Sequence, residues 1–191
     1  MRQILVAAAA VLALAACSPA NSGAPMPKQQ NPQNALNAPT HLNGGSAAEQ
    51  ASITPEQDQQ LRQLITNILN NYQEHFAPGM GPAPGAADQI AAIQPGHDYR
   101  WQVNMQGGKQ YKVLGGCDNE CNNVDIELID GSGAVVANDT APDDRPVVSF
   151  TPASNGQYIV RMILQTCTVG PCYVGARVVT EGVPSGLSKK G

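Results

Sequence analysis

The chain has 191 residues, a formal net charge of −4 and 14% charged residues. That length suits one folded domain with appendages. Mild acidity, with Lys189-Lys190 the one adjacent Lys/Arg pair, argues against a nucleic-acid partner.

Arg2 is the single positive charge of the N-terminal segment, and the residues from Ile4 to Ala16 are apolar. This run is shorter than the roughly 20 residues that span a bilayer, and no later run is apolar enough, so 1–16 is expected to be a cleaved signal. It closes on Leu14-Ala15-Ala16-Cys17. These four residues resemble the lipobox of bacterial lipoproteins. The resemblance implies cleavage before Cys17, lipidation of Cys17 and anchoring in a membrane. By that family's sorting rule, Ser18 in place of Asp implies the outer membrane and a periplasm-facing protein.

Residues 17–52 are rich in Asn, Pro, Ala, Gln, Gly and Ser. They offer little to a core and are expected to form a disordered linker, with a reach of about 30 Å. Residues 53–78 are expected to be one helix. Thr54-Pro55-Glu56-Gln57 has an N-cap residue, a proline for the first helical position and the partner of a capping box. Leu61, Leu64, Ile65, Ile68, Leu69, Tyr72 and Phe76 then recur at helical spacing, and Pro78-Gly79 ends the pattern. Such a helix is not stable alone. Its stripe must meet the neighbouring domain, a second copy, or another envelope protein, which makes Leu61, Leu64 and Ile68 candidate partner-binding residues.

A Pro/Gly/Ala connector fills 79–87, and from 88 to 181 the texture is that of short strands separated by turns. Val124, Ile126 and Leu128 alternate with Asp125 and Glu127, as in a half-buried strand. Asp130-Gly131-Ser132-Gly133 is a hairpin turn into 134–137. Further strands are expected at 89–93, 99–105, 110–114, 146–150, 157–165 and 173–180. About eight strands without an intervening helix predict a mainly β, jelly-roll-like sandwich. Residues 182–191 are expected to be a flexible tail.

Cys117, Cys121, Cys167 and Cys172 are an even set in an exported chain, which implies disulfides. Three pairings exist. Cys117–Cys121 and Cys167–Cys172 are favoured, because Gly170-Pro171 supports a tight reversal between the second two, and the first two pinch a three-residue loop. A four-cysteine zinc site is the alternative, but C-x3-C and C-x4-C depart from the usual paired C-x2-C knuckles.

Gly116-Cys117-Asp118-Asn119-Glu120-Cys121, the run from Val124 to Asp130, Asp139-Thr140, Asp143-Asp144, Phe150-Thr151-Pro152 and Gly156-Gln157-Tyr158 together resemble the bacterial pre-peptidase C-terminal domain, in its cysteine-bearing subgroup. The resemblance covers roughly 88–181 and departs from the family pattern at Asn123, Ile129 and Arg145. It implies a non-catalytic β-sandwich that accompanies secreted hydrolases, binds polymers in some members and binds calcium in others.

The acidic loops are the candidate cation site. Asp118, Asp125, Asp130, Asp139, Asp143 and Asp144 are hard oxygen donors of the kind calcium prefers; the competing role of such residues is to shape turns. His41, His75 and His97 are dispersed, no nucleophile elbow is present, and no phosphate-binding glycine loop opens a helix. The sequence therefore predicts a non-catalytic envelope module with no required cofactor, whose partner is an envelope protein or polymer. The second reading is an accessory domain for a separately encoded hydrolase.

Overall fold

The computed structural model describes residues 49–186. The signal segment, Cys17, the linker to residue 48 and the tail from 187 lie outside the described residues.

Helix α1 runs Pro55–Phe76. Thr54 Oγ1 accepts from the Gln57 backbone N–H at 3.3 Å, and Gln57 Oε1 accepts from the Thr54 N–H at 2.9 Å. These bonds satisfy two donors that a helix start leaves open. Asp58 and Arg62 form an i,i+4 pair at 2.9 Å.

The strands are β1 (Glu49–Gln50), β2 (Gly81–Pro82), β3 (Gln89–Ile93), β4 (His97–Met105), β5 (Tyr111–Cys117) and β6 (Cys121–Ile129). They continue as β7 (Val135–Asp139), β8 (Val147–Phe150), β9 (Gly156–Cys167), β10 (Val169–Gly170) and β11 (Cys172–Thr180). One sheet has the order β3-β11-β5-β8, with β2 prolonging the β3 edge; the facing sheet has the order β4-β9-β6-β7. Every pairing in the two sheets is antiparallel. The chain switches between the sheets as a jelly roll does, and the eight long strands form the expected mainly β sandwich.

The core follows the two-residue strand period. Trp101, Val103 and Met105 of β4, Val124, Ile126 and Leu128 of β6, and Val160, Met162 and Leu164 of β9 face Val113, Val148, Val174, Ala176 and Val178 of the other sheet. Every residue of β11 is buried. The reason is α1, which lies on the outer side of that sheet. Ile65 and Leu69 are fully buried with Tyr173, and Leu61, Ile68 and Ile90 pack around them.

Three stretches differ from the sequence expectation. Glu49–Gln50, placed in the linker by composition, pair in parallel with β10, and Gln50 and Gln94 exchange two amide hydrogen bonds of 2.8 and 3.0 Å. The 79–87 connector contributes β2 and buries Met80, Ala83 and Ala86. Strand β5 does not stop at Leu114 but runs through Gly115 and Gly116 to Cys117. A Cβ on Gly115 would meet Ile126 Cδ1 at 2.6 Å, and one on Gly116 would meet Ile68 Cγ2 at 2.8 Å. These glycines mark close approach from both sides, not a strand end.

Candidate functional site

All four cysteines lie at one end of the sandwich. Cys117–Cys121 and Cys167–Cys172 are disulfide-bonded, with Cα separations of 5.9 and 6.2 Å. This is the favoured pairing, and it leaves none of these four cysteines as a thiolate for zinc. Cys121 and Cys167 are cross-strand partners, so the two bridges sit side by side. Asp118 lies between them, 4% exposed, its Oδ2 accepting the Tyr173 N–H at 2.7 Å. Burial pushes its carboxyl up to about 6. The Tyr173 hydroxyl donates to Asp58 at 2.6 Å and so ties the start of α1 to this end. Burial and the Asp58 bond push the phenol up to about 12, and it remains a neutral donor.

The other acidic candidates are not gathered. Asp130 Oδ1 accepts from Ser132 N, Ser132 Oγ and Ala134 N, an Asx-turn that lowers its pKa. Asp139 accepts from Ala141 N and Val147 N, and Asp143 from Arg145 N. Asp144 faces Arg145 at 3.3 Å, and Asp125 is buried against Gln165 at 2.6 Å. Among the described residues, no cluster of three or more His, Cys, Asp or Glu forms a cation cage. Turn-shaping accounts for Asp130, Asp139 and Asp143, an ion pair for Asp144 and a hydrogen bond to Gln165 for Asp125.

Two of the three helix-stripe candidates pack within the chain. Leu61 and Ile68 pack on the Ile65–Leu69–Tyr173 cluster, and Leu64 is half-buried. Beneath the last turns, Arg177 donates to both Asp88 oxygens at 2.8 and 2.5 Å and to Asn70 and Gln73 at 2.9 and 2.8 Å. The apolar expectation for this face missed the buried cation entirely.

Among the described residues, no helix lies over the outer face of the β4-β9-β6-β7 sheet. Arg100 and Arg161 are direct cross-strand neighbours, a repulsive pairing. Asp98, whose side chain is 1% exposed, binds both guanidiniums, and Arg161 reaches Glu127 at 3.0 Å. The charges of Asp98, Arg100, Glu127 and Arg161 are therefore satisfied by one another.

The opposite end of the sandwich carries a cleft of about 400 Å³ lined by Asn104, Gln106, Lys109, Tyr111, Asn155 and Thr180. Two turns build it, 106–110 between β4 and β5, and 151–155 between β8 and β9. They are stitched together: the Gly107 N–H donates to Asn155 Oδ1 at 2.9 Å, the Gly108 N–H to the Pro152 carbonyl at 2.8 Å, and the Gln106 N–H to the Tyr111 hydroxyl at 2.9 Å. Gly107 lies so close to Ser154 that a Cβ would meet its Cα at 2.6 Å. The expected strands 99–105 and 110–114 leave room for the first turn, but its junction with 151–155 has no local sequence signal.

No family model and no curated protein matches the chain. Among solved structures it is similar to one described as "CBM4 structure and function", at 12% identity and a TM-score of 0.32, over 57% of this chain and 82% of that one.

Proposed function

We propose that the protein is a non-catalytic binding module of the bacterial envelope, an outer-membrane lipoprotein anchored at Cys17 and facing the periplasm. The lipobox-like Leu14-Ala15-Ala16-Cys17 supports the anchor. The observation that carries the binding role is the distribution of surfaces. One sheet face is covered by α1, one end is closed by two disulfides beside the incoming N-terminal strand, and the far end holds a cleft between two turns that are hydrogen-bonded to each other. A preformed concave site at the loop end of a stable sandwich suits recognition of a partner from outside. The partner expected is an envelope polymer or protein, and the pre-peptidase-like motifs are consistent with a polymer.

Two measurements test this reading. The intact mass of the membrane-extracted protein should correspond to a chain beginning at Cys17 with acyl additions; an unmodified chain contradicts the anchor. Purified protein should be retained on an isolated insoluble envelope polymer without releasing soluble fragments; release of fragments contradicts the non-catalytic reading.

A further inference from the structure

We propose that the cleft formed by the 106–110 and 151–155 turns takes a saccharide segment bearing a carboxylate. The inference rests on the binding-module reading and names the ligand class of its cleft.

The argument begins with what each lining group has left to offer. Asn155 commits its carbonyl oxygen to the Gly107 N–H, so its uncommitted group is the donor Nδ2. Thr180 Oγ1 donates to the Gln110 carbonyl and holds the wall. Glu181, the nearest carboxylate along the chain, accepts from the Gln110 N–H at 3.3 Å. Among the described residues, nothing partners the Lys109 ammonium or the side-chain amides of Asn104 and Gln106. The free set is thus one ammonium, one amide donor and two complete amides. Ammonium and donor match a carboxylate, and complete amides match hydroxyls that both give and accept hydrogen bonds.

The apolar side of the lining decides between a saccharide and a peptide. Met105 and Tyr111 are each 2% exposed, so neither opens a pocket for a side-chain anchor. Pro84 supplies an exposed apolar wall. Peptide recognition draws on apolar pockets or on free backbone groups, and the N–H groups of residues 106–110 are all bonded within the protein, so this cleft offers a ligand side-chain amides and one apolar flank. The stitched turns hold Asn155 and the backbone of 106–109 in place before binding, which removes part of the ordering cost.

The test is an NMR titration of the full exported chain, made soluble by Cys17→Ser, with trigalacturonate and with neutral galactotriose. Saturable shifts are expected at the backbone amides of 106–109 and 154–156 with the acidic trimer. The neutral trimer should bind about tenfold more weakly, as loss of one charge-assisted contact predicts. Lys109→Met should bring the acidic trimer down to the neutral affinity without shifting the melting temperature, since Lys109 is exposed. No shift at these amides at about 10 mM acidic trimer, a concentration that would detect even millimolar binding, overturns the inference, as does equal affinity for the two trimers. Saturable shifts elsewhere on the sandwich also overturn it, while leaving the binding-module reading intact.

Discussion

Ile65 of α1 sits directly on Gly175 of β11, so close that a Cβ on the glycine would meet Ile65 Cγ2 at 2.3 Å. Ile65 is fully buried and cannot swing away. The helix is seated by the absence of a side chain beneath it. Gly175→Ala should therefore destabilise the protein by roughly 1–3 kcal/mol, the usual cost of overpacking. Chemical denaturation checks this, with Gly131→Ala as control, because nothing lies within 4 Å of a Cβ there.

Arg177 is the buried polar counterpart of that contact. Arg177→Met keeps the stem but leaves Asp88 and Gln73 without their cation, and should cost about 3–5 kcal/mol. A double-mutant cycle with Asp88→Ala should show strong coupling between the two positions. Additive effects in denaturant melts would contradict the pairing.

Asp118 gives a pH dependence with a defined sign. Its carboxyl is raised by burial, from an ordinary 3.8 to about 6. The folded state therefore holds a proton that the unfolded state has already released between those values. Stability from this group is greatest below about pH 4 and is lost as the pH rises through about 6. Asp118→Asn should flatten that part of the profile, and the difference at pH 7 should approach about 3 kcal/mol at most. Parallel profiles for the two proteins in urea melts between pH 4 and 7 would contradict the assignment.

The two disulfides close loops of only a few residues. Removing either pair, Cys117→Ser with Cys121→Ser or Cys167→Ser with Cys172→Ser, should cost about 2 kcal/mol in the chain-entropy model. The sandwich should still fold, because its core strands pair independently of the bridges. Loss of the cooperative thermal transition in either variant would show that the bridges do more than shape the loops.

Calcium should leave the protein unchanged. Of the carboxylates that composition nominates, Asp130, Asp139 and Asp143 shape turns, Asp144 pairs with Arg145, and Asp118 and Asp125 each commit one oxygen, to the Tyr173 N–H and to Gln165. Melting temperatures in millimolar calcium and in chelator should coincide; a rise in calcium would reveal a cation site.

The strand pattern, the helix cap and the cysteine spacing were legible because each is written within a few residues of itself. Thr54 and Gln57 meet across one turn, and Val124, Ile126 and Leu128 share one face of one strand. What escaped depends on residues far apart in the chain. Gly115 and Gly116 read as punctuation until Ile126 and Ile68 are seen pressing on them. Glu49 and Gln50 read as linker until β10 lies alongside. No local pattern marks Arg177 or Asp98 for burial, yet both are held in networks by partners that only the folded chain brings near. The cleft was invisible for the same reason, since its two turns are separated by about 40 residues of strand.

The most direct measurement is co-sedimentation of the full exported chain, carrying Cys17→Ser, with purified insoluble envelope polymer. The account predicts that the protein moves to the pellet, saturably, while the polymer stays intact. Protein that remains in the supernatant with every envelope polymer fraction would contradict a polymer-binding module at the membrane.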